Sequence, residues 1–482
     1  AEAYYSQIPL VIISADRPGH LIDIGDGQTI RQEGVFGNHI LFEANLEEDL
    51  SFESGEKNPT LFLQNTGRID SALSLCRERL GPVHINIPFD EPLYETTDHL
   101  YSFDLANARE KIQPENSLLN EKPLEVDELQ KFANLWNNKN KKMVLVGSSF
   151  PDEFIQTQMT HLAKDPSVLI LTETTSNIVD DRFINNIDQL IFPLGGEELD
   201  ALSPDILLTF GGMVVSKKIK QFLRKHPPME HWHVDAHRAL DTFHCLSRHF
   251  TLSPQLFFSQ FFFLTKTRSS PYQAKWLELK KQRKARHFEF LEQVAYSDIS
   301  VFNEVLRSIP RHANLQLANS SIIRYAQLFD LDPTLKVFCN RGTSGIDGST
   351  STALGAAFNT SGSTVFITGD ISFFYDSNAL WNKYIPENFR IILINNGGGG
   401  IFRFIPGPKS SDALDFFETT HQLEASKLCE MHGLSYQSAN DLSQLKVQLE
   451  TFYEDKGRPG LLEVFTPTEE NDLCLKDYFK AL

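Results

Sequence analysis

Two β-branched runs, each stopped by a polar signature, constrain this chain more than anything else in it. Ser363-Thr364-Val365-Phe366-Ile367-Thr368 ends at Gly369-Asp370-Ile371-Ser372, and Arg390-Ile391-Ile392-Leu393-Ile394 ends at Asn395-Asn396. Continuous apolar runs of this kind read as strands buried on both faces, as in parallel sheets covered by helices. Open sheets of that class bind ligands just beyond the carboxyl ends of their strands. Aspartate and asparagine side chains delivered there are hard oxygen ligands suited to Mg²⁺, which usually shares its shell with phosphates. Gly397-Gly398-Gly399-Gly400 follows at once, so backbone can approach a ligand closely and the Gly398 carbonyl can join the metal. Either signature alone reads as an ordinary turn. Together, with a helical stretch predicted over 378–384 between them, they predict a metal–diphosphate site.

Length and charge narrow the surroundings. At 482 residues the chain exceeds one core, so two or three domains are expected. A hydrophobic content of 41% and a charged content of 22% are those of a soluble globular protein, and no apolar run reaches membrane-span length. The net charge of −18 argues against a nucleic-acid surface, so an anionic substrate requires a local cluster of arginines and lysines. Cys76, Cys245, Cys339, Cys429 and Cys474 are scattered without a Cys-x-x-Cys pair. They read as reduced thiols of a cytoplasmic protein.

Three α/β segments follow from the alternation of strands and helices, which implies parallel, doubly wound sheets. The first spans 1–104, with strands at 8–14 and 83–88 and a helix near 66–80. Residue 1 is not Met and a buried-type strand opens almost at once, so this segment is expected to be a domain truncated at its start. A polar stretch over 105–125 reads as a linker. The central domain covers 126–270, with strands at 142–146, 167–171, 206–210 and 232–235. Its Gly147-Ser148-Ser149 and Gly211-Gly212 turns do not fit G-x-G-x-x-G, so no dinucleotide site is expected there. A charged helix over 275–292 leads into the third domain, 295–482, with strands at 315–318, 336–339, 363–368, 390–394 and 460–465.

The Gly-Asp and Asn-Asn pair resembles the thiamine-diphosphate signature. Ala15-Asp16-Arg17-Pro18, Gly27-Gln28-Thr29-Ile30-Arg31-Gln32 and Gly81-Pro82-Val83-His84-Ile85-Asn86-Ile87-Pro88 extend the likeness. So do Asn340-Arg341-Gly342-Thr343-Ser344-Gly345-Ile346-Asp347-Gly348 and Asn396-Gly397-Gly398-Gly399-Gly400-Ile401-Phe402. On these strings the whole chain resembles the 2-succinyl-5-enolpyruvyl-6-hydroxy-3-cyclohexene-1-carboxylate synthase family. The resemblance implies three doubly wound parallel-sheet domains, with active sites at the interface of a homodimer or homotetramer. It implies thiamine diphosphate and Mg²⁺ (Mn²⁺ as a substitute), and 2-oxoglutarate decarboxylation with addition of the succinyl unit to isochorismate in menaquinone biosynthesis. Another 2-oxo acid decarboxylase or carboligase on the same scaffold, or a non-catalytic cofactor-binding or assembly fragment, are the alternatives.

The resemblance also implies roles. Asp370, Asn396 and Gly398 would hold the metal, with Gly369 opening the motif. Ser372 and, secondarily, Asn319 would bind phosphate oxygens. Ile346 would lie beneath the thiazolium, and Ile401, Phe402 and Ile405 would form apolar walls. Arg324, Arg341 and Ser320 would meet substrate carboxylates, for which bidentate arginine is suited. Lys217 and Lys218 match a Lys-Arg pair of the family, and Arg17 and Gln28 match first-domain substrate contacts. Gly27 stands where the family often has Asn. The family's activating glutamate lies upstream of the Ala-Asp-Arg-Pro strand, where only Glu2 is acidic here. A chain beginning at Ala1 is therefore expected to be crippled in cofactor activation.

Overall fold

The computed structural model describes residues 1–48, 58–89, 121–404, 412–454 and 457–482. They fall into two compact units, Ala1–Lys122 and Pro123–Leu482. The 105–125 stretch lies outside the described residues up to 120.

In the first unit, β1 (Val11–Asp16), β2 (Phe42–Asn45) and β3 (Val83–Pro88) form a parallel sheet in the order β1-β3-β2. The helix Pro59–Arg79 starts where the Asn58 side chain accepts from the Leu61 amide, with proline at the first helical position. It buries Ala72 and Cys76 against Ala44, Val83 and Ile85. The expected strand at 8–14 begins later, at Val11, because Pro9 has no amide to give a ladder. Its expected burial also fails: β1 has one neighbour in this unit and alternates exposed and half-buried residues, with Ile13 66% exposed.

The second unit holds two six-stranded parallel sheets. The central one takes β4 (Lys142–Val146), β5 (Val168–Thr172), β6 (Phe183–Ile184), β7 (Ile206–Phe210), β8 (Glu230–Val234) and β9 (Arg248–Phe250) in the order β6-β5-β4-β7-β8-β9. The other takes β10 (Asn314–Leu317), β11 (Lys336–Cys339), β12 (Thr364–Gly369), β13 (Phe389–Asn395), β14 (Ser435–Ala439) and β15 (Gly460–Phe465) in the order β11-β10-β12-β13-β15-β14. Every residue of β4, β5, β7 and β13 is buried, as continuous apolar runs require.

The helix Tyr272–Gln293, 22 residues and about 33 Å long, ties the sheets together. Its first turns bury Tyr272 and Trp276 in the central core, and its end packs Phe290 and Leu291 on the last one. The edge strand β11 is closed by a side chain: Asn177 donates to the Val337 carbonyl at 2.8 Å and accepts from its amide at 2.7 Å. Gln189 bridges further, donating to the Leu328 carbonyl at 2.6 Å and to the Tyr478 hydroxyl at 2.8 Å. The helix expected over 378–384 is only a 3₁₀ turn, Ser377–Leu380. Asn382 ends it by donating to the Ala379 carbonyl and accepting from the Tyr384 amide.

Strand order decides where ligands can enter. The second sheet reverses direction at β10 and β12, whose carboxyl ends open a crevice. In the central sheet the reversal falls at β4 and β7, and there backbone meets backbone. A side chain at Gly147 would lie 2.1 Å from the Gly212 carbonyl oxygen. All five cysteines are free thiols, and among the described residues no helix is long and apolar enough to cross a membrane.

Burial pushes His231, His233 and His287 down to about 4. The unfolded chain protonates near 6.5 while the folded one resists, so stability is full above 6.5 and falls as pH drops toward 4. For His287, which stands apart from the other two, the cost is about 2 kcal/mol at pH 5. Thermal midpoints should therefore fall between pH 6.5 and 4.5, and less steeply in His287→Gln. Parallel slopes for the two proteins would contradict the assignment.

Candidate active site

Asp370 follows β12, Asn395 closes β13 with Asn396 next after it, and these strands are direct neighbours. The Asp370 carboxylate is buried and holds the next loop by its backbone. Oδ2 accepts from the amides of Asn396 at 3.1 Å and Gly398 at 3.0 Å, and Oδ1 accepts from the Ile371 amide at 2.7 Å. Gly398 needs to be glycine. Its φ is +155°, and a Cβ there would sit 2.9 Å from the Glu418 carbonyl oxygen. The Gly398 carbonyl accepts from the Gly400 amide at 3.0 Å, which leaves it a second lone pair.

The Asn396 side chain is set by a residue that sequence reading missed. Its Nδ2 donates to Oδ2 of Asp298 at 3.2 Å, while its Oδ1 is buried without a hydrogen-bond partner. Burial pushes Asp298 up to about 6, against hydrogen bonds from Thr466 and Asn396, with Asp370 adding to the rise. The Asp370 carboxylate, the Gly398 carbonyl and this orphaned carboxamide oxygen are hard oxygen donors of the kind a divalent cation takes. His421 was missed as well. Its Nδ1 accepts from the Leu423 amide at 3.0 Å, and its buried Nε2 lies 3.4 Å from Asp370 Oδ2.

Beside this centre, Ser372 donates to the Ile346 carbonyl at 2.6 Å, so these two expected cofactor residues meet. Asn319 is fully used within the protein. It donates to the carbonyls of Asn340 and Gly345 at 2.6 and 2.7 Å and accepts from Arg341 Nη1 at 2.8 Å. It shapes the 340–345 loop from below. Ile401 and Phe402 are half-buried in the short helix Ile401–Phe404, and Phe402 packs on Phe417 at 5.2 Å. Ile405 lies outside the described residues.

A second, cationic cluster lies at the same sheet end. Ser320, after β10, has a φ of +65°, and its carbonyl accepts from Arg324 Nη1 at 2.5 Å. Arg341 Nε is buried and has no partner. Burial, then the neighbouring Arg341, disfavours the Arg324 charge, while Asp188 supports it. Lys220 carries the same charge balance: burial depresses it, Glu173 opposes, and Arg341 and Arg324 add to the depression. Lys217 is exposed, and Lys218 lies over the Phe192 ring at 4.1 Å. All three lysines ride on the helix Lys217–Lys225, whose buried Ile219, Phe222 and Leu223 fix its phase. Buried Glu173 and half-buried Asp188, both raised chiefly by desolvation, anchor that helix start at Val215 and Ser216.

In the first unit, Arg17 pairs with Asp26 at 3.7 Å, and Gln28 is exposed at φ +60°. Gly27 beside it is exposed too. Glu2 opens the short helix Glu2–Tyr5 and accepts from Ser6 at 2.7 Å.

Known proteins give this geometry its family. A family model described as the middle domain of thiamine pyrophosphate enzymes matches residues 105–317. A 2-succinyl-5-enolpyruvyl-6-hydroxy-3-cyclohexene-1-carboxylate synthase of Flavobacterium johnsoniae is 50% identical over 484 residues, covering 100% of this chain and 84% of the relative. Those of Flavobacterium psychrophilum and Phocaeicola vulgatus are 48% and 36% identical, over the same shares of each chain. The chain belongs to this synthase family. The α/β architecture of parallel sheets expected from the sequence is thereby shown, as is the chain's standing as an enzyme.

Replacing Gly398 tests the loop without any ligand. Gly398→Ala meets both the Glu418 carbonyl and an unfavourable φ, at a cost of about 1–3 kcal/mol. The thermal midpoint of the ligand-free protein should drop by several degrees, and an unchanged midpoint would contradict the close approach.

Proposed function

We propose that this enzyme decarboxylates 2-oxoglutarate and adds the succinyl unit to isochorismate, using thiamine diphosphate and Mg²⁺. The products would be 2-succinyl-5-enolpyruvyl-6-hydroxy-3-cyclohexene-1-carboxylate and CO₂, a C–C bond-forming transfer of menaquinone biosynthesis. The observation that carries this reading is the pairing, at one sheet end, of an oxygen-donor centre with a cluster of cations. The activity for which the relatives are named agrees with it.

Asp370, Asn396 and the Gly398 carbonyl would hold Mg²⁺, for which Mn²⁺ could substitute, and Gly369 leaves room beside them. Ser372, with Asn319 through the loop it supports, would border the diphosphate. Ile346, Ile401 and Phe402 would wall the cofactor and exclude water. When bound, thiamine diphosphate supplies the carbon centre at which CO₂ is lost and the succinyl unit is carried. Arg324 and Arg341 would take the substrate carboxylates, whose negative charge relieves the repulsion between the two guanidiniums. Ser320 would add a hydroxyl, and Lys217, Lys218, Arg17 and Gln28 complete the expected substrate set.

We propose further that the enzyme works as a homodimer or homotetramer in the cytoplasm. Ile13, Phe62 and Leu63 in the first unit are exposed by 66–70%, more apolar surface than an isolated unit is expected to leave in water. The free, scattered thiols support a reducing compartment.

The direct assay mixes protein, thiamine diphosphate, Mg²⁺, 2-oxoglutarate and isochorismate and follows CO₂ and isochorismate together. Coupled loss of both is expected; CO₂ release indifferent to isochorismate would count against a synthase. Arg324→Ala and Arg341→Ala should each lower kcat/KM for 2-oxoglutarate about 10–150-fold, the worth of one charge-assisted hydrogen bond (~1.5–3 kcal/mol). Unaltered kinetics in either variant would remove that arginine from the substrate site.

A further inference from the structure

We infer that Asp298 is a positioning residue: it orients the Asn396 carboxamide so that the oxygen, not the amino group, faces the cation. The inference rests on the metal–diphosphate reading above. Asp298 opens the helix Asp298–Ser308, remote in sequence from Asn396, and is 3% exposed. It is itself held on three sides. Its Oδ1 accepts from Thr466 Oγ1 at 2.6 Å, its Oδ2 accepts from Asn396 Nδ2 at 3.2 Å, and its amide donates to Asn471 Oδ1 at 2.8 Å. Asn471 is fixed in turn by donating to the Pro467 carbonyl at 2.7 Å.

The chemistry follows from an asymmetry. A carboxamide has two ends of nearly equal shape, one a double donor and the other an acceptor. An ionised carboxylate only accepts, so the amino end must turn to Asp298. The oxygen is then left on the other side, where it is buried and no protein donor reaches it. A buried acceptor without a partner is costly unless something fills it, and a divalent cation would. Without the anchor, the carboxamide could turn round and present two N–H groups to the metal. Asp298 meets the amino end of Asn396, opposite the orphaned oxygen, so its part is to orient rather than to ligate.

Mn²⁺ binding, read from the free-ion electron paramagnetic resonance signal in the presence of thiamine diphosphate, tests this without turnover. Asp298→Leu keeps the approximate volume but offers no acceptor and should weaken Mn²⁺ at least tenfold. Asp298→Asn can still offer its carbonyl to Asn396, with Thr466 accepting its amino group, and should stay within threefold of the parent chain. Loss of equal size in both variants would show that charge and not orientation matters, and would overturn the inference. So would parental affinity in Asp298→Leu. If that variant does not fold, Thr466→Val carries the test: severalfold weakening is expected, and parental affinity refutes. Asp370→Ala separates the two levels. Abolished binding there upholds the site whatever Asp298 does, and retained binding sinks the site and this inference with it.

Discussion

One carboxylate stitches the functional end of this fold together. Asp370, at the tip of β12, accepts from two amides of the loop beyond β13 and so welds neighbouring strand ends into a single rigid rim. Parallel strands bring such tips side by side but do not fix the loops that leave them. The buried acceptor does that, and the glycines let the loop come close enough to be held. Everything proposed about a cation depends on this clamp, because it holds the backbone of Asn396 and of Gly398 against one carboxylate oxygen.

Charge is divided across the crevice. On one side Asp370 and Asp298 are buried together, and the second is held up to about 6 by its surroundings. On the other, Arg341 disfavours the charge of Arg324, and both arginines disfavour that of Lys220. Each cluster is uncomfortable without a counter-ion, in the opposite sense. Under the proposed function, a cation joined to a diphosphate would meet the first and a dicarboxylate the second. Glu173 and Asp188 temper the basic side from beneath but are themselves occupied by amides and a hydroxyl.

Much of this was legible in the chain. Strands 206–210, 336–339 and 460–465 stand as read, because uninterrupted apolar runs between turn residues leave little choice. β14, Ser435–Ala439, was missed: small polar residues suffice on an edge with one neighbour. The β1 strand was read as buried because its composition is apolar, and composition does not count neighbours. At the site, Asp370 and Asn396 were visible because each ends a strand. Asp298, His421, Glu173 and Lys220 were not, since a single polar residue supplied from a distant element leaves no local pattern.

The central claim is that Asp370 and Asn396 grip one divalent ion at neighbouring strand tips. Anomalous diffraction from crystals grown with Mn²⁺ and thiamine diphosphate locates that ion directly. A single peak within coordination distance of an Asp370 oxygen, Asn396 Oδ1 and the Gly398 carbonyl is the predicted result. A peak elsewhere, with the Asn396 oxygen turned toward Asp298, would contradict it.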